Sequence, residues 1–100
     1  MKDKIVKELI DLGVPANSRG ILYWTDILLY VYKNKGRKKI NLGDLYDYLA
    51  GKYDSTYFAC ERVVRYAKMK IENNVRKKYK IKDDRITIGT IINIFILKIF

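Results

Sequence analysis

Histidine is absent from this chain, cysteine occurs once (Cys60) and proline once (Pro15). Without histidine there is no Cys-His or Ser-His pair for nucleophilic catalysis, and the commonest general acid-base group is missing. A lone cysteine excludes an intrachain disulfide framework and a cysteine-rich zinc site, and it suits a reducing cytoplasm. No cluster of residues sets a nucleophile beside a base, so the sequence reads as a non-enzyme with no metal and no cofactor. No Ser/Gly-rich run marks a linker and no segment repeats, so the 100 residues read as one domain with one hydrophobic core.

Long apolar runs are scarce as well. The opening Met-Lys-Asp-Lys-Ile lacks the apolar centre of an export signal. Residues 86–100 are the greasiest stretch, but they fall short of the roughly 20 apolar residues that span a bilayer, and Asn93 and Lys98 interrupt them. A buried or dimerising helix in a cytoplasmic protein is expected there, with no membrane partner.

Acidic residues are also in short supply: 11 stand against 21 basic ones, a net charge of +10. Residues 1–32 and 40–75 are each balanced. The excess gathers in 33–39 (Lys33, Lys35, Arg37, Lys38, Lys39) and 76–85, where six basic residues face Asp83 and Asp84. Clustered positive charge favours a polyanionic partner, nucleic acid before an anionic membrane surface. The plainer alternative is charge that serves solubility alone.

Hydrophobic periodicity predicts an all-α, compact domain of about five helices and no strand. The first covers about Lys2–Leu12, with Ile5, Leu9 and Leu12 inward and Gly13 as its stop. Asn17 or Ser18 caps a second, reaching about Tyr32, whose apolar positions (Leu22, Trp24, Ile27 and Leu28 among them) cover most of its circumference. Asn41 caps a third, with Leu42, Leu45, Tyr46 and Leu49 inward, ending near Lys52. One of Asp54, Ser55 and Thr56 caps a fourth, about Thr56–Asn74. Residues 75–85 are expected as a basic connection with at most a turn of helix. The last helix, about Ile88–Phe100, carries a core stripe of Ile88, Ile91, Ile92, Phe95, Ile96 and Ile99. Ile94, Leu97 and Phe100 then remain as surplus apolar surface for a dimer contact.

The fourth helix divides at about 100° per residue into an inner face (Tyr57, Cys60, Val63, Val64, Ala67, Ile71) and an outer one (Phe58, Glu61, Arg62, Arg65, Lys68, Met69, Glu72). Two helices joined by a tight turn, the second with a basic outer face, suggest a helix-turn-helix over 42–74. Arginine can donate two parallel hydrogen bonds to guanine O6 and N7, and glutamate can accept from cytosine N4. Glu61, Arg62 and Arg65 together therefore suit reading of a G·C-containing stretch in the major groove. The ordinary alternative is a solvated face with a Glu61–Arg65 pair, stabilising by only about 0.2–0.5 kcal/mol.

The chain resembles the C-terminal DNA-binding effector domain of the stage-zero sporulation response regulators of spore-forming bacteria. The likeness begins with Ile-Asp-Leu-Gly-Val-Pro-Ala from Ile10 and runs through Gly20, Leu22-Tyr23, Val31-Tyr32, Leu49-Ala50 and Lys52-Tyr53. It is most specific at Asp54-Ser55-Thr56 followed by Glu61-Arg62-Val63-Val64-Arg65-Tyr66-Ala67. The resemblance implies an all-helical domain that inserts this helix into the major groove of a box of the form TGTCGAA. It also implies homodimers on tandem boxes, joined through the last helix. Glu61, Arg62 and Arg65 inherit the contact roles, and Thr56, Lys68, Lys35, Arg37, Lys38, Lys39, Arg76, Lys77 and Lys78 are expected at phosphates.

The chain departs from the family in having Phe58-Ala59 where Ser-Arg is usual. One arginine donor is missing, and Phe58 is expected to touch a thymine methyl instead. The family's extra helix after the recognition helix gives way to the shorter stretch 75–85. The likeness starts a few positions into the chain, and an effector with no receiver domain before it, acting without phosphorylation, is expected. The competing expectation is a protein-interaction module that pairs with a full-length response regulator and antagonises it. A contact with such a regulator or with an RNA polymerase subunit is also compatible with the DNA-binding reading.

Overall fold

A computed structural model describes residues 1–34 and 41–100; the expected phosphate residues Lys35, Arg37, Lys38 and Lys39 lie outside the described residues. Regular structure among the described residues is all helical: α1 (Lys2–Leu12), α2 (Arg19–Asn34), α3 (Leu42–Lys52), α4 (Tyr57–Lys78) and α5 (Ile88–Ile94), which runs on into a π-turn, Phe95–Ile99. The all-α class and the five helices agree with the hydrophobic periodicity.

Local chemistry sets most boundaries. Gly13 ends α1 in the left-handed region, φ 113°, where a glycine carries no Cβ penalty. The Asn74 side chain on α4 donates to the Leu12 carbonyl at 2.9 Å, so a distant helix satisfies one of the terminal acceptors of α1. Ser18, of the two expected caps, accepts from the Ile21 amide at 3.2 Å and starts α2. Asn41 accepts from the Asp44 amide at 2.8 Å and starts α3.

Helix α2 is the centre of the core, with Trp24, Ile27 and Leu28 fully buried. Leu22, one of the apolar positions spread around this helix, is exposed; it sits two residues, or about 200°, around the helix from Trp24 and faces away from the core. Leu42, also expected inward, sits at the first turn of α3 and stays partly exposed. The Trp24 indole donates to the Val64 carbonyl at 3.1 Å and ties α2 to α4. The two helices approach closely at Gly20, where an added Cβ would lie 2.9 Å from the Ala67 Cβ. Gly20→Ala should therefore destabilise the fold. The usual helix gain of about 0.5–1 kcal/mol is outweighed by overpacking of about 1–3 kcal/mol. Thermal unfolding of the two proteins checks this, and a raised melting temperature would contradict the close approach.

Helices α3 and α4 end alike. Each finishes in Lys-Tyr, followed by a residue at positive φ (Asp54, 50°; Lys80, 53°) and a backbone bond that reaches back five residues, Ser55 to Ala50 and Ile81 to Arg76. At each end the lysine and tyrosine grip a buried carboxylate. Lys52 Nζ lies 3.0 Å from Asp26 Oδ1 while the Tyr53 hydroxyl donates to Oδ2. Lys78 Nζ lies 2.7 Å from Glu8 Oε1 while the Tyr79 hydroxyl donates to Oε2. These clamps fix α3 to α2 and α4 to α1.

Burial first, and then the hydrogen bond to the carboxylate, pushes the Tyr53 and Tyr79 hydroxyls well above the ordinary tyrosine value. A folded-state value above the unfolded one means that the folded chain holds these protons more tightly. The associated stability is complete below about pH 10 and is lost as pH rises above it toward the folded values. The urea midpoint should fall as pH rises above about 10, and a Tyr53→Phe/Tyr79→Phe protein should show a shallower fall. An identical slope in the two proteins would contradict the clamps.

Helix α4 continues past the expected Asn74 because Val75, 1% exposed, extends the buried stripe Cys60, Val64, Ala67 and Ile71. Arg76, Lys77 and Lys78 thus form its last turn, where cations favour the helix dipole. At the C-terminus the π-turn places one extra residue in the last turn, which rotates the side chains beyond it relative to an α-helical course. Ile96, expected in the core stripe, is exposed. Phe100 turns onto the Tyr32 ring, centroids 5.1 Å apart, and toward Phe95.

Candidate nucleic-acid interface

The connection from α3 to α4 is short. Among its three possible caps Thr56 takes the role, its hydroxyl accepting from the Ala59 amide at 3.1 Å. Helix α4 then runs 22 residues, about 33 Å at 1.5 Å per residue, comparable with the longest dimension of the molecule, 35 Å. Its inner face packs on α2 and α3. Cys60 is fully buried there as a small core side chain.

The outer face presents the expected readers on one side. Arg62 is exposed and makes no ion pair or hydrogen bond among the described residues. Arg65 Nε lies 2.9 Å from Glu61 Oε1, and its guanidinium sits over the Tyr66 ring at 5.3 Å. At this exposure the ion pair stabilises by only about 0.3–0.5 kcal/mol, but it restrains the Arg65 side chain. The carboxylate of Glu61 is thereby engaged before any ligand arrives. Phe58 is 74% exposed, and its ring meets Tyr57 edge-on at 5.3 Å, which in turn meets Tyr46 at 5.3 Å. Burial, with the nearby charge of Glu61 second, pushes the Tyr46 hydroxyl up to about 12.

Two further large side chains share this face. Tyr66 is 51% and Met69 56% exposed, and they border a shallow hollow with Lys70. Sequence reasoning placed Met69 on the outer face without assigning it to the site, and it passed over Tyr66 and Lys70. The helical spacing from Arg62, at i+4 and i+8, was the signal for that pair.

The expected phosphate set divides. Lys68 donates to the Ile86 carbonyl at 3.1 Å and pairs with Glu72 at 2.8 Å, so its ammonium holds the segment before α5 to α4. Arg76 clamps the same connection through the Asp83 and Asp84 carbonyls and bonds the Asn73 side chain. Lys78 belongs to the Glu8 clamp. All three side chains thus make internal ties: Lys68 and Arg76 to the connection before α5, and Lys78, on the last turn of the longer α4, to α1. Thr56 is exposed with its hydroxyl oxygen engaged as the cap. Lys77 is exposed and makes no ion pair among the described residues.

The three residues expected at a dimer contact differ in exposure. Leu97 is 77% exposed, whereas Ile94 and Phe100 are partly buried against the core of their own chain, Phe100 on the Tyr32 ring beyond the π-turn. No helix among the described residues is long and apolar enough to cross a membrane.

No protein-family model, curated protein or solved structure matches this chain.

Proposed function

We propose that the chain binds double-stranded DNA sequence-specifically as a transcriptional regulator, with α3, the turn and α4 acting as a helix-turn-helix. One observation carries the reading. Directly after a tight turn, the exposed first turns of α4 hold Arg62, which has no hydrogen-bond or ion-pair partner among the described residues, and Arg65 restrained beside it, on the same side as Phe58. A planar guanidinium projecting from a rigid helix is the geometry that guanine O6 and N7 take in the major groove. The net charge of +10 supplies the sequence-blind attraction to phosphates, and the Glu61-Arg62 to Arg65 likeness to the sporulation effector domains supports the same helix. Leu97 is the residue of the last helix best placed for a homodimer on tandem sites. Selection of bound sequences from a random duplex pool tests the proposal: an enriched box is expected, and a pool that stays random would overturn it.

The exposure of Phe58, Tyr66 and Met69 on this face favours a second reading, a protein-interaction module that pairs with and antagonises a full-length response regulator. Pull-down of that regulator with and without nuclease separates the two. An antagonist keeps its partner when DNA is removed.

A further inference from the structure

We infer that Phe58 and Met69 read pyrimidine C5-methyl groups at either end of the stretch faced by Arg62 and Arg65, an inference that rests on α4 entering the major groove. Both side chains stand in water, at 74% and 56% exposure. At 100° per residue they lie within about 20° of each other around α4, with Arg62 and Arg65 within roughly 40° of the same line. Phe58 precedes Arg62 by four residues and Met69 comes four after Arg65, about 6 Å along the axis in each case. The face therefore runs apolar, basic, basic, apolar.

Large apolar side chains on an exposed face lack an obvious place against the hydrated edges of bases, with one exception. The floor of the major groove offers an apolar group wherever a pyrimidine carries a C5-methyl. The Phe58 ring rests edge-on against Tyr57, and Met69 has the unbranched, adaptable side chain that fits an uneven floor. Charge complementarity selects the occupant. Arg62 and Arg65 lie between the two apolar positions, Arg65 paired with Glu61 at the edge of the stripe, and Lys70 borders the Met69 hollow; Arg62 and Lys70 are the cations that suit the stripe to a polyanion. Tyr66 lies to the side with its ring under the Arg65 guanidinium, where it positions that group.

Thymine and 5-methylcytosine present the same methyl, and substituted duplexes distinguish them. In the duplex recovered by selection, each thymine is replaced in turn by deoxyuridine, and in a second series each cytosine by 5-methylcytosine. Affinity of the full chain is measured for every duplex. Removing a methyl that is read should weaken binding about threefold to fivefold. One sensitive position should become insensitive in Phe58→Ala and another in Met69→Ala, while both variants keep the preference that depends on Arg62. A gain on adding methyl to cytosine, lost in the same variants, assigns the contact to 5-methylcytosine instead. Equal affinity for every duplex in both series, with the selected box still preferred, overturns this inference and leaves the DNA-binding reading standing. Failure to recover any box overturns both.

Discussion

Arg62→Ala should weaken binding to the selected duplex by about 1–3 kcal/mol, roughly fivefold to 150-fold, and relax the preference at one base pair. Because Arg62 makes no ion pair or hydrogen bond among the described residues, its removal leaves the fold intact, and the loss is attributable to the ligand. Arg65→Ala should act similarly at a neighbouring position. It also gives up the exposed pair with Glu61, a stability change of only about 0.3–0.5 kcal/mol. Lys77→Ala should behave differently, weakening all duplexes alike and lowering the salt slope by about one. Equilibrium titrations on the selected box and on a scrambled duplex check all three. A selected box bound equally well by Arg62→Ala and Arg65→Ala would remove α4 from the recognition role.

Trp24→Ala should destabilise the domain by about 3–5 kcal/mol, a large part of the 5–15 kcal/mol that holds a typical domain folded. The side chain is fully buried at the centre of α2, so its loss opens a cavity under the middle of α4. It also removes the indole donor from the Val64 carbonyl, the bond that fixes α4 to α2. Trp24→Phe keeps most of the packing and loses the donor, so a cost of about 1–2 kcal/mol is expected, against the larger loss in Trp24→Ala. Urea unfolding separates the two variants. Equal midpoints would show that the α2–α4 contact does not depend on filling this space. Unlike Arg62→Ala, Trp24→Ala should lose affinity and stability together.

The features legible in the sequence were local ones. Gly13, Asn41 and the buried stripe of α4 announce themselves through backbone preference and spacing alone, since a helix stop or cap acts within four residues. Arg62 and Phe58 were legible for the same reason, by their angle on a helix. The internal duties of Lys68, Arg76 and Lys78 were not. Their partners are Ile86, the 83–84 carbonyls and Glu8, the last of them 70 residues distant, and only tertiary packing brings them together. A charge run reads as solvated until the buried Glu8 is known. The π-turn was equally hidden: an apolar stretch in which almost every position is Ile, Phe or Leu fits several registers, and the choice falls to packing against Tyr32.

The paired clamps bear on how α4 is held for its proposed work. A recognition element must be held to the rest of the domain, and here Trp24 of α2 ties α4 at Val64 and Glu8 of α1 ties its C-terminus through Lys78 and Tyr79, while the Thr56 cap defines where the helix begins. The exposed side chains of the outer face are thus carried on a helix held at two points, to α2 and to α1.

The central claim, that this charge serves duplex DNA, is tested most directly by the salt dependence of affinity for the selected box. With about five phosphates neutralised per protomer, the slope of log K against log salt should be near −4.5, a loss of about 2.7 decades between roughly 50 and 200 mM. A flat response over that range would contradict duplex binding.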